Sequence, residues 1–222
     1  MWDNYEYFEK DSKEFDAGFM SPRALQDPVR RLVQRLWKKS GPYNRFKEAL
    51  KLIPVDIKGL SILDVGCGHG HCSLILASMG ANVTGVDYSG KMIEIVEANL
   101  KKIYPESMER CSFKHANIFE YNSEEKFDIV MALGVIEYIN EKLHTEFMRK
   151  LSILSKKYLL IAFPQKYSMF YILRKPWLKY LKKCIVTHFS MADVRRIISS
   201  IDCHLIREVD HGGYWLCLLE KK

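Results

Sequence analysis

From Ile62 to Gly70 the chain reads Ile-Leu-Asp-Val-Gly-Cys-Gly-His-Gly, an apolar run that breaks into glycines at three alternate positions, Gly66, Gly68 and Gly70. Few patterns constrain a fold as tightly. A short apolar run that ends in glycine is a buried strand giving way to a turn, and the residues from His71 onward predict a helix directly after it. Glycine belongs there because the backbone can turn sharply and a ligand can approach closer than a β-carbon would permit. A second strand, Asn82 to Asp87, then ends in a carboxylate able to accept two hydrogen bonds from a ribose diol. Strand, turn, helix and strand in that order form a βαβ unit, and open α/β sheets bind ligands beyond the carboxyl ends of such strands.

The alternation continues along the chain. Ser61 to Val65, Asn82 to Asp87, Ser112 to Ala116, Phe127 to Leu133 and Tyr158 to Phe163 read as strands, and His71 to Met79, Lys91 to Ile103 and Lys142 to Leu154 read as helices between them. Gly80 closes the first of these helices and Ser89 caps the second. A further helix runs from its Ser190 cap to Ile201. The tail then changes rhythm, because Cys203 to Val209 and Tyr214 to Glu220 are two strands separated only by Asp210-His211-Gly212-Gly213. So short a connection allows an antiparallel hairpin and excludes a crossover. The expected fold class is α/β, a Rossmann-like, doubly wound, seven-stranded sheet, mostly parallel with an antiparallel C-terminal strand.

Residues 1–55 read as an N-terminal helical annex of the same domain. Asp27 can cap a helix that has Pro28 in its first turn and Val29, Leu32, Val33 and Leu36 along one face, and a second helix runs from about Tyr43 to Leu52. Residues 56–222 form the main unit, with a small helical cap inserted at 165–187.

The pattern Asp64-x-Gly66-x-Gly68-x-Gly70 followed by Val86-Asp87-Tyr88-Ser89 resembles the class I S-adenosylmethionine-dependent methyltransferase family, from about Leu60 to the end of the chain. The resemblance implies S-adenosyl-L-methionine as cofactor. It places Asp64 near the methionyl amino group, runs Gly66, Cys67, Gly68 and Gly70 beneath the ligand, gives the ribose hydroxyls to Asp87, sets Tyr88 and Met92 on either side of the adenine, and counts Ser89 among the cofactor-binding residues. Where relatives often carry an aspartate toward the adenine amine, this chain has Asn117-Ile118, and Leu133-Gly134 closes the site after the fourth strand. A nicotinamide-dependent oxidoreductase would want G-x-G-x-x-G, but position 71 is His71.

The acceptor is expected above the fourth strand. Many relatives have a histidine where Tyr138 stands; a phenol, which keeps its proton at neutral pH, can orient or hydrogen-bond an acceptor or simply pack. His188, between the insert and the Ser190 cap, is the other catalytic candidate, with a capping or packing role as its alternative. Nucleic-acid amine methylation is disfavoured, because Leu133-Gly134-Val135-Ile136 lacks the Asp/Asn-Pro-Pro-aromatic turn that clamps a flipped base. Six cysteines without a Cys-x-x-Cys pair read as reduced, buried thiols, and no metal site is expected.

Charge is concentrated in one stretch. The formal charge is +7, yet no acidic residue lies between Glu146 and Asp193, where ten lysines and arginines fall. Within 165–187, Phe170, Tyr171, Trp177, Leu178 and Leu181 interleave with Arg174, Lys175, Lys179, Lys182 and Lys183. Such a segment suits a lid over an amphiphilic or acidic acceptor, peripheral docking on an anionic membrane surface, or a plain cap with a solvated lysine face. Its order of segments is similar to that of quinone-pathway and tetrapyrrole O-methyltransferases. The expectation is a cytoplasmic methyltransferase acting on a small or amphiphilic molecule, at oxygen first and nitrogen next. The alternative is a cofactor-binding partner or sensor without turnover of its own.

Overall fold

The computed structural model describes residues 42–103, 105–168 and 186–222. The first is helix α1, Pro42–Leu50, and the parallel core follows as β1, Ser61–Val65; α2, His71–Ser78; β2, Asn82–Asp87; α3, Gly90–Ile103; β3, Cys111–His115; and β4, Phe127–Leu133. Helix α4, His144–Leu154, leads into β5, Ser155–Pro164, and after α5, Met191–Ile198, come β6, Cys203–His211, and β7, Tyr214–Lys221. The strands lie in the order β3-β2-β1-β4-β5-β7-β6. All neighbours from β3 to β5 pair in parallel, whereas β7 runs antiparallel to both β5 and β6. The fold class therefore stands as the sequence implied, with β7 as the reversed strand.

The chain winds outward from β1 to β3, then returns to the other side of β1 as β4. That reversal opens a crevice above the carboxyl ends of β1 and β4, and it positions the site. Both sheet faces are covered. On β5, Leu159, Ile161 and Phe163 join the core under α4 and α5, while Tyr158, Leu160 and Ala162 join the core that includes Phe46 and Ala49 of α1 and Leu76 and Ala77 of α2. A strand buried on both sides has no polar face, which is why it reads as an unbroken apolar run. Helix α3 closes the β2–β3 end with Ile93, Val96 and Leu100 packed around Phe113.

Both anticipated caps are present. The Met92 N–H donates to Ser89 Oγ at 3.3 Å, and Ser190 and Asp193 form a reciprocal box, Asp193 N–H to Ser190 Oγ at 3.2 Å and Ser190 N–H to Asp193 Oδ2 at 3.0 Å. The terminal hairpin is tighter than expected. Its strands extend to His211 and from Tyr214, leaving Gly212 and Gly213 with φ of 59° and 84°, the paired positive values of a type I′ turn that matches the strands' twist. Short 3-10 turns at Pro105–Arg110, Ile136–Tyr138 and Glu141–Leu143 were not legible as elements, and the last of them shortens the helix expected from Lys142. The Asp27–Pro28 helix and most of the basic insert, including Trp177 and Lys175, Lys179 and Lys183, lie outside the described residues.

Candidate functional site

An open cleft lies above the switch point, where ligands bind in sheets of this kind. Val65 and Gly66 come from the end of β1, Val86, Asp87, Tyr88 and Ser89 from the end of β2, and Ala116 and Ile118 from beyond β3. Gly134, Val135 and Tyr138 close it beyond β4.

The glycines serve different purposes. Gly66 has φ of 68°, and a Cβ there would come within 2.5 Å of Val135 Cγ2, so any side chain would collide with the opposite wall. Gly70, at φ 83°, lets the turn pack on α3, since a Cβ would meet Val96 Cγ2 at 2.0 Å. Gly68 faces open space and turns its N–H to Asp87 Oδ2 at 2.8 Å, while the Ser89 N–H donates to Asp87 Oδ1 at 2.9 Å. Both oxygens of Asp87 are thus oriented by backbone amides. A bare turn opposite a held carboxylate is a cradle suited to a nucleoside.

Beneath the turn, Asp64 is 4% exposed and accepts a 2.6 Å bond from Ser73 Oγ. Loss of solvent, with a smaller contribution from the nearby Asp87 charge, pushes its pKa up to about 7, even though the Ser73 bond works the other way.

The cleft wall brings together Gly66, Asp87, Tyr88, Ser89, Ile118, Gly134 and Tyr138 of the anticipated site residues. Asp64, Cys67, Gly68, Gly70, Met92, Asn117, Leu133 and His188 stand behind or beside it. Cys67 is buried, and desolvation raises its thiol pKa well above the ordinary value. Met92 packs within the first turn of α3. Asn117 is drawn into a local turn: its Oδ1 accepts from the Phe119 N–H at 3.2 Å and its Nδ2 donates to Glu120 Oε1 at 3.3 Å. Leu133 offers its carbonyl to Arg45 Nη2 at 3.3 Å. The His188 ring donates through Nδ1 to the Val186 carbonyl at 3.1 Å, which holds the residue beside the chain that returns from the insert.

Sequence reasoning missed two groups. Val65, Val86, Ala116 and Val135 supply the apolar wall, and only their positions at strand ends could have flagged them. The second group is charged. Glu137, 2% exposed, accepts from Tyr214 Oη at 3.4 Å, and the Arg45 guanidinium sits 4.4 Å above the Tyr214 ring. Burial alone would weaken the hold of Arg45 on its proton, but Tyr214 and Glu137 outweigh it and raise its pKa further. A Cβ on Gly134, whose φ is 95°, would lie 2.7 Å from Arg45 Nη2, so this cation presses against the cleft wall.

The strand order 3-2-1-4-5-7-6 with a reversed seventh strand is the Rossmann-like fold that the chain shares with solved S-adenosylmethionine-dependent methyltransferases. Residues 62–157 match the methyltransferase domain family. The chain is 30% identical over 122 residues to the ubiquinone biosynthesis O-methyltransferase of Aromatoleum aromaticum, covering 51% of this chain and 50% of that protein. To the enzyme of the same name from Rickettsia conorii it is 38% identical over 84 residues, covering 38% and 28%. It therefore spans half the length of one relative and under a third of the other. Among solved structures, the magnesium protoporphyrin IX methyltransferase of Synechocystis PCC 6803 with bound SAH aligns with a TM-score of 0.75 over 98% of both chains at 19% identity. The N-methyltransferase of Bradyrhizobium japonicum WM9 in complex with S-adenosyl-L-homocysteine aligns at 0.64 over 97% and 98%, at 14% identity.

Proposed function

We propose that this chain is an S-adenosylmethionine-dependent methyltransferase that modifies an oxygen, or next a nitrogen, of a small or amphiphilic acceptor. The observation that carries the reading is the Asp87 carboxylate, presented by two backbone N–H groups across from the bare Gly66 turn. Asp87 would take the ribose hydroxyls. Tyr88 and Ile118 would flank the adenine, and buried Asp64 would stand behind the methionyl end. S-adenosylmethionine, when bound, supplies an activated methyl group; the protein's part is alignment, which accounts for a large share of rate in such displacements.

Tyr138 is the side chain in the cleft wall suited to orienting an acceptor hydroxyl through a hydrogen bond. His188 is better read as a packing residue of the returning chain, given its bond to Val186. Residues 1–55 would act as an annex to the domain at 56–222. The insert at 165–187 would act as a lid for an amphiphilic or acidic class of acceptor, or as a peripheral contact with an anionic membrane surface. Tyr167 at its start is 80% exposed, with Lys166 Nζ 5.8 Å from the ring centroid, an amphipathic pair of the kind that suits an interface. Among the described residues no helix is long and apolar enough to cross a membrane. Free thiols at Cys67, Cys72, Cys111, Cys203 and Cys217 accord with a cytoplasmic setting.

Calorimetry with S-adenosylmethionine, S-adenosylhomocysteine and NADH tests the cofactor assignment. Binding of NADH with no heat from the other two would overturn it. Incubation with S-adenosylmethionine and soluble and lipid extracts, read by mass spectrometry, tests catalysis: an enzyme yields S-adenosylhomocysteine and a methylated product, while a binding module yields neither. Replacing Lys175, Lys179 and Lys183 with glutamine should weaken acceptor turnover or liposome binding while leaving cofactor affinity unchanged; no change in either removes the role of the insert.

A further inference from the structure

The turn from Asp87 to Gly90 gives the cleft wall Asp87, Tyr88 and Ser89 in consecutive residues, so its shape decides how that wall meets a ligand. Its inner side is set by the bonds of Asp87 to the Gly68 and Ser89 amides. Its outer side is held by a residue from a different strand. His115 ends β3, in register with Asp87, and its Nε2 lies 3.0 Å from the Tyr88 carbonyl oxygen. A carbonyl only accepts, so the ring nitrogen donates. The next residue continues the contact, with the Ala116 N–H donating to the Asp87 carbonyl at 2.9 Å. The same imidazole lies over Gly90, where a Cβ would sit 3.4 Å from its Nδ1 and Cε1. The ring therefore reaches from the Tyr88 carbonyl to the first residue of α3, across the back of the turn.

We infer that His115 is a positioning residue for the adenosyl end of the cleft, acting through the Tyr88 carbonyl to set the direction of the Tyr88 ring and the Asp87 carboxylate. The inference rests on the methyltransferase reading above. Asn117, the residue at the position where relatives often address adenine, bonds within its own turn through Oδ1 and Nδ2.

The test compares His115→Ala, His115→Phe and His115→Gln with the native chain, by calorimetry with S-adenosylhomocysteine and with 5′-methylthioadenosine, which keeps the adenosyl group and lacks the amino acid. Phenylalanine keeps a ring over Gly90 without a donor; glutamine keeps an N–H donor without a ring. The Ala and Phe variants should lose about fivefold in affinity for both ligands, the effect of one net hydrogen bond, and the Gln variant should return to within twofold of native. Native-like binding by the Phe variant, no rescue by glutamine, or a loss confined to S-adenosylhomocysteine would each overturn the inference. Should the alanine variant fail to fold, the Phe and Gln variants carry the test. Failure of the native chain to bind either ligand would instead defeat the proposed function, so the two failures are distinguishable.

Discussion

The two halves of the cleft are built from different materials. Above β1 and β2 the working parts are backbone amides, glycines and one carboxylate, all within a short span of sequence. Beyond β4 the wall of Gly134, Val135 and Tyr138 is backed by side chains drawn from distant elements: Arg45 from α1, Glu137 from the turn after β4, and Tyr214 from β7. The first kind of construction is specified locally and tolerates little substitution within the turn. The second depends on the whole sheet having assembled, so its failures should appear first as lost stability and only later as lost binding.

The largest expected effect tests that division directly. Glu137→Ala takes from the buried Tyr214 hydroxyl its carboxylate acceptor and from Arg45 a nearby negative charge, and leaving such groups uncompensated costs about 3 kcal/mol; urea unfolding should show this while the S-adenosylhomocysteine affinity of the folded fraction changes little. If affinity falls as far as stability does, the halves are not separable. Asp87→Ala should do the reverse. Stability should change modestly and affinity fall by about a hundredfold in calorimetry, about 3 kcal/mol for charge-assisted bonds. Gly66→Ala comes next, with an affinity loss of about tenfold from forcing a methyl group against Val135 at a positive φ. A native-like dissociation constant for this variant would show that the wall can yield.

The last effect is one of pH. With its pKa at about 7, folded Asp64 holds a proton that the unfolded chain, near the ordinary value of about 3.9, has already released. The folded state thus binds more protons between those values, and stability should fall as pH rises from about 4 to about 7, then level off. Asp64→Asn should flatten that slope in melts across this range. An unchanged slope would place its origin in another group.

The first half of the cleft was legible in the sequence because its signals are adjacent. Gly66, Asp87, Tyr88 and Ser89 were named from a pattern that local backbone geometry enforces, and the caps at Ser89 and Ser190 follow from the same short-range logic. Asn117 shows how a position can be identified while its role is not. Asparagine readily folds its amide onto its own backbone, and here it does so. Arg45, Glu137 and Tyr214 left no signal because each is ordinary in its own segment, and only the placement of β7 beside β5 brings them together. The unbroken apolar run of β5 announced a buried strand, but its first residues, with Lys156 and Lys157 exposed, did not.

The seventh strand has a consequence for how the molecule comes into being. It lies between β5 and β6 although it follows both in the chain, and β6 has no other neighbour among the described residues, so until the last hairpin docks β5 is an open edge of the sheet. The Arg45–Tyr214 contact cannot form before that docking, which ties the wall beyond β4 to the last strand of the sheet.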